Sequence, residues 1–319
     1  MTGPVPHWPG RTVSLATGEQ VHVAETAGPV PDQKKELVLC VHGMAGAATN
    51  WTDYMAELAP DFACAAVDLP GSGFSPPPAA KRGYSIRALA GTIVRLIEAL
   101  DAGPVHLAGN SMGGAVSVQV AASRPDLLRT LTLVSPALPD LRVRRELLQF
   151  PVAGLPVIGE RMVRRMQRIP AENRVAGAVA VCYHNPAAMH PDRFWVDVAE
   201  LKRRDELGYS ATTLSRAART LVAESLSPRR YSLWRAAERI TVPALVTFGS
   251  HDRLVNPRLA TPARQAFRGA TVEVLPQTGH VAQMERPALV ARLFREMVDR
   301  TRAGGDVAGN SGRHDSVDA

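Results

Sequence analysis

The chain reads as an α/β protein: a mostly parallel sheet of about eight strands with helices on both faces, plus a helical cap inserted after the sixth strand. Three observations predict this. Apolar runs of strand length alternate with stretches whose apolar residues recur at helical spacing, the pattern of a parallel sheet covered on both sides. The 319 residues exceed the usual single-core size but suit one large sheet. About a hundred residues then separate the sixth strand from the seventh, far more than one crossover helix needs.

Taken in order, Arg11 to Ala16 and Gln20 to Glu25 read as an antiparallel edge, followed by strands at Leu37 to Val41 and from Ala63. Ser85 to Leu100 is a helix, with Ile86, Leu89, Ile93, Leu96, Ile97 and Leu100 on one face. Pro104 to Ala108 reads as a buried strand. Ala115 to Ser123, rich in Ala and Val with no breaker before Pro125, reads as a buried helix. Strands from Thr130 to near Ser135, from Val242 to Phe248 and from Ala270 to Leu275 complete the sheet. The expected division is a core of residues 1–136 and 239–302, a cap with its returning helix over 137–238, and a tail over 303–319. That tail is rich in Gly, Ser and Asp without apolar periodicity, and disorder is expected there.

Gly109-Asn110-Ser111-Met112-Gly113-Gly114 joins a predicted strand to a predicted helix and fits the G-x-S-x-G nucleophile elbow. Gly109 and Gly113 permit close approach of strand and helix around a strained serine. A serine hydroxyl is a poor nucleophile at neutral pH and needs a base, with a third group to orient that base. Two further strands supply candidates where they end: Gly249-Ser250-His251-Asp252 and Thr278-Gly279-His280. The order serine, acid, histidine is that of one fold in particular.

Over roughly residues 10 to 300 the chain resembles the α/β-hydrolase family. His42-Gly43-Met44-Ala45-Gly46 resembles its His-Gly oxyanion loop, and Asp68-Leu69-Pro70-Gly71-Ser72-Gly73-Phe74-Ser75 its D-x-P-G-x-G-x-S segment. Gly249 to Asp252 resembles the acid loop, and His280 to Pro287 the H-x-x-x-x-E-x-P close. The resemblance implies Ser111 as nucleophile, His280 as base and then acid, and Asp252 as the group holding the imidazole tautomer. It implies an oxyanion hole from the backbone N–H groups of Met44 and Met112, each such donor contributing about 3 kcal/mol to the barrier. Asp140 is the next candidate for the acid if Asp252 is silent. The reaction expected is hydrolysis of a carboxylic ester, small or lipid-like, through an acyl-serine. The alternatives are carbon–carbon hydrolysis of the meta-cleavage-product type, whose enzymes carry a similar elbow, and a non-catalytic ligand receptor on the same fold.

Residues 137–238 hold 17 Lys plus Arg against 11 Asp plus Glu, most of the chain's net charge of +7. Leu147 to Ile158 is apolar but broken by Pro151, Gly154 and Pro156. Met162, Val163, Met166 and Ile169 follow, opposite Arg161, Arg164, Arg165 and Arg168. Such a segment either packs its stripe on the core or lies against an anionic membrane; it is too short to span one. Nucleic-acid binding is not expected, since no aromatic residues interleave with the basic ones. Cys40, Cys64 and Cys182 lie far apart and give no disulfide framework, and Cys182, His184 and His190 lack a second ligand pair for a metal. No cofactor is implied. His42 is read as structural and His251 as a loop neighbour of Asp252. No signal-peptide pattern is visible, so a cytoplasmic location is expected; oligomeric state is left open.

Overall fold

Two five-residue strands with no exposed position, β3 (Leu37–Val41) and β4 (Ala63–Val67), mark the centre of the molecule. In the computed structural model, which describes residues 7–26, 35–140, 149–227 and 232–310, they lie in one eight-stranded sheet. The others are β1 (Gly10–Ser14), β2 (Gln20–Glu25), β5 (Val105–Asn110), β6 (Leu128–Val134), β7 (Ala244–Gly249) and β8 (Thr271–Leu275). Their spatial order is β1-β2-β4-β3-β5-β6-β7-β8, with β1–β2 and β2–β4 antiparallel and the rest parallel. All the strands from β3 onward therefore end at one edge.

Alternation along a strand sends successive side chains to opposite faces, and β3 feeds two cores. Leu37, Leu39 and Val41 join one apolar cluster; Val38 and Cys40 join the other. The first is closed by α2 (Ile86–Leu100) and α3 (Met112–Ser123), the second by α1 (Thr52–Leu58) and by α12 (Pro287–Asn310), whose Val290 and Phe294 are buried. Helix α2 buries the expected Ile86, Leu89, Ile93, Leu96 and Ile97. The Ser85 hydroxyl accepts from the Ala88 N–H at its start, satisfying one orphan donor. The three cysteines are free.

Between β6 and β7 stand α4 (Gln149–Gly154), α5 (Ile158–Met166), α6 (Ala171–Cys182), α7 (Pro191–Glu206) and α8 (Ser210–Ser225). The returning α9 (Leu233–Ala237) belongs with the core, since Leu233, Ala236 and Ala237 join the α2/α3 cluster. The inserted helices have a small centre of their own at Ala171, Val175 and Val198. Part of their arginine surplus ties α7 down. Arg193 pairs with Asp53 of α1 at 2.6 Å, and Arg203 and Arg204 donate to the Gly73 and Ala45 carbonyls, each at 2.6 Å.

Helix α12 runs to Asn310, beyond the start of the expected disordered tail, because a formed helix propagates at little cost per residue. Residues 311–319 of that tail lie outside the described residues, as does the beginning of the Leu147 to Ile158 run.

Candidate active site

At the end of β5 the backbone turns through Ser111 at φ 52°, ψ −117°, and α3 starts at the next residue. A non-glycine residue in that region is strained and persists only where its surroundings hold it. Here the holding groups are specific. The Ser111 N–H donates to the Val134 carbonyl at 3.0 Å, and its carbonyl accepts from Ala115 at 3.1 Å and Ala137 at 2.9 Å. A Cβ on Gly113 would fall 2.2 Å from the Val41 carbonyl oxygen, and one on Gly109 would fall 2.6 Å from that of Gly113. Strand and helix therefore pack backbone to backbone, as the glycines of the elbow imply.

The β7 and β8 loops bring Asp252 and His280 together. Asp252 Oδ2 lies 2.9 Å from His280 Nδ1, and both side chains are buried. The other carboxylate oxygen accepts from the Leu254 and Val255 N–H groups at 2.8 and 2.9 Å. Burial alone would push the Asp252 carboxyl up. The adjacent imidazole and the two backbone donors outweigh it and hold the group below the usual carboxylate range. An ionised carboxylate only accepts, so Nδ1 of His280 carries a proton and donates a hydrogen bond to Asp252.

His280 is also fixed from behind through its backbone. Its N–H donates to the Cys182 carbonyl at 2.6 Å, and its carbonyl accepts from Asn110 Nδ2 at 3.1 Å. The Glu285 carboxylate takes the Gly279 N–H at 2.7 Å and the Asn185 N–H at 2.9 Å. Both cap residues at these contacts follow or end α6, so the histidine loop is held between cap and core. His251 bonds Ser250 Oγ at 2.8 Å and packs against the His184 ring, 3.9 Å between centroids.

Met44 sits in the loop after β3, which the elbow touches: a Cβ on Gly43 would lie 3.1 Å from Ser111 Cβ. Met112 opens α3, where N–H groups have no intrahelical acceptor and the helix dipole is positive. His42 shapes this loop. Its Nε2 accepts from the Leu69 N–H at 3.0 Å, so Nδ1–H donates to the Gly43 carbonyl at 2.7 Å. Burial lowers the pKa of this ring and keeps it neutral. Asp68, the first residue of the D-x-P-G-x-G-x-S segment, accepts from the Ala48 and Phe74 N–H groups at 2.7 and 2.9 Å and thereby spans both loops.

Ser111, His280, Met44 and Met112 all line one cavity of about 1010 Å³ between core and cap. Its walls are mainly apolar, from Leu69, Leu138, Val163, Val175, Leu221 and Val281 among others. Asp140 also lines it, while the His280 ring bonds Asp252. Among the lining residues not singled out in the sequence are Asp197, Glu200 and Arg204 of α7. Their spacing of three and then four residues puts them on one helical stripe, the signal available in the sequence. Burial raises the Asp197 carboxyl to about 6, against the lowering effect of Arg204 and Arg193.

A sequence model of the alpha/beta hydrolase fold matches residues 36–287. The dihydrolipoyllysine-residue acetyltransferase component of the acetoin cleaving system of Cupriavidus necator is 29% identical over 79% of this chain, which spans 60% of that protein's length. The pimeloyl-[acyl-carrier protein] methyl ester esterase of Neisseria meningitidis serogroup B is 26% identical, over 85% of this chain and 95% of its own. Among solved structures, the 2-hydroxy-6-oxo-6-phenylhexa-2,4-dienoate hydrolase of a Rhodococcus strain superposes with a TM-score of 0.74 at 21% identity, covering 91% of this chain and 98% of that one. With its eight-stranded sheet, its elbow and this match over most of its length, the chain belongs to the α/β-hydrolase fold family.

Proposed function

We propose that the protein is a serine hydrolase that cleaves a carboxylic ester through an acyl-serine. The observation that carries the reading is that His280, buried 2.9 Å from Asp252, lines the same cavity as a serine held at φ 52°. Ser111 Oγ attacks the ester carbonyl while His280 Nε2 takes its proton. The imidazolium that forms is stabilised by Asp252. The carbonyl oxygen becomes an oxyanion facing the Met44 and Met112 N–H groups. His280 returns the proton to the leaving alcohol, and water, activated by the same base, deacylates the enzyme. A mainly apolar cavity supports an apolar acyl or alcohol part, and the Neisseria relative is named as an ester hydrolase.

The test is turnover of chromogenic esters of increasing acyl length, with Ser111→Ala measured at equal concentration. Turnover that disappears in the variant supports the reading, and the acyl-length optimum sizes the cavity. Turnover equal in both proteins refutes the assigned nucleophile. Turnover of a vinylogous dienone but of no ester moves the reaction to carbon–carbon hydrolysis, and binding without turnover moves it to a receptor.

A further inference from the structure

The cap has an apolar stripe beside four arginines, and the structure divides it. In α5 only Gly159 and Val163 are buried, so of the stripe Val163 packs inward, Met162 is half-buried, and Met166 and Ile169 are exposed. At the corner between α4 and α5, Val152, Leu155, Val157 and Ile158 are exposed, with Val157 57% and Ile158 55% accessible. Arg161, Arg164, Arg165 and Arg168 are exposed beside them. On a helix, Ile158, Arg161 and Arg165 fall three and four residues apart, so a cationic row borders the apolar corner. Arg193, Arg203 and Arg204, by contrast, are engaged with the core.

A second observation connects this surface with the site. Met166 and Ile169 are exposed, and both also line the cavity that holds Ser111. They stand at its rim, at the end of the helix that carries the arginines. Among the described residues no helix is long and apolar enough to cross a membrane, so this surface can lie on a bilayer but α5 cannot span one.

We propose that the α4–α5 corner docks on an anionic lipid bilayer, with Leu155, Val157 and Ile158 entering the headgroup boundary and Arg161, Arg164, Arg165 and Arg168 facing lipid phosphates. Charge complementarity selects the anionic surface, and the exposed aliphatic corner selects a bilayer over an acidic protein face. Docked in this way, the rim at Met166 and Ile169 opens toward lipid, and an apolar ester can pass from the bilayer to the cavity without crossing water. Docking is independent of the ester reading; only this delivery rests on it.

The test is sedimentation of the full chain with phosphatidylglycerol vesicles and with phosphatidylcholine vesicles at low and high salt, which requires no activity. The expected result is partition to phosphatidylglycerol, weakened by salt, with little partition to phosphatidylcholine. Arg161→Gln with Arg165→Gln is expected to lower the partition coefficient roughly twenty-five-fold, about fivefold per arginine. Val157→Ser with Ile158→Ser is expected to lower it roughly tenfold or more. These positions are exposed, and an unchanged unfolding midpoint checks that both variants fold. Absence of partition to phosphatidylglycerol by the unaltered protein overturns the proposal. So does loss in the arginine variant with none in the Val157/Ile158 variant, which is the behaviour of an electrostatic face for an acidic protein.

Discussion

Asp252→Asn isolates what the buried carboxylate does. The amide is nearly isosteric, and its oxygen can keep the bonds that Asp252 Oδ1 accepts from Leu254 and Val255. Its NH₂ group then stands where Oδ2 lies, 2.9 Å from His280 Nδ1. Two N–H donors cannot share that contact, so the imidazole moves its proton to Nε2 and bonds the amide through an unprotonated Nδ1. Nε2 then has no lone pair for the Ser111 proton. The loss expected in kcat is about four orders of magnitude, equivalent to about 5.5 kcal/mol of barrier. Hydrolysis of the best chromogenic ester measures it, with thermal unfolding in parallel. The midpoint should move by only a few degrees, because the packing and the bonds from Leu254 and Val255 survive. A variant within about tenfold of the unaltered enzyme refutes this reasoning, and Asp140→Asn, in the same cavity wall, becomes the decisive comparison.

Gly113→Ala places a methyl 2.2 Å from the Val41 carbonyl and 2.5 Å from that of His42. Neither backbone atom can yield, so a stability loss above about 3 kcal/mol, or insoluble protein, is expected in denaturant melts. Asp197→Asn tests the carboxyl raised to about 6. A native pKa above the unfolded value means that the folded state binds more protons between about pH 4 and 6, and that stability falls as pH rises through that window. The variant should match the unaltered protein near pH 4 and exceed it by up to about 3 kcal/mol at pH 8, read from urea midpoints. Arg204→Ala removes the donor to the Ala45 carbonyl in the loop after β3. A charge-assisted bond of this kind is worth about 1.5 to 3 kcal/mol, so kcat should fall roughly tenfold or more. Arg204→Lys should restore part of the loss, and a change confined to KM would show that Arg204 does not position the loop.

The core was legible because its signals are local. Each strand carries its own apolar run, α2 its own face and cap, and the elbow its own glycines, so Ser111, Asp252 and His280 could be placed after the ends of three strands before their contacts were known. The cap was less legible because its side chains answer to distant partners. The Lys202-Arg203-Arg204-Asp205-Glu206 run has the composition of a solvated face, yet Arg203 and Arg204 reach carbonyls about 130 and 160 residues earlier in the chain. Asp197 and Glu200 likewise acquire their place only when α7 is laid across the cavity. The stripe of α5 is the opposite case. Its periodicity left a packed face and a membrane face open, and of Met162, Val163, Met166 and Ile169 the structure buries only Val163.

The bond from the His280 N–H to the Cys182 carbonyl, with the Glu285 clasp on Asn185, bears on how this protein can be re-engineered or have diverged. An insertion between two strands is ordinarily treated as an interchangeable module, to be shortened or replaced to obtain a new specificity. Here the end of α6 forms part of the wall behind His280, so exchanging the whole insertion also dismantles the seat of the histidine. Chimeras that retain residues 182–185 and vary the helices on either side respect that boundary. Grafts that cross it change turnover and selectivity together, and cannot be read as specificity swaps.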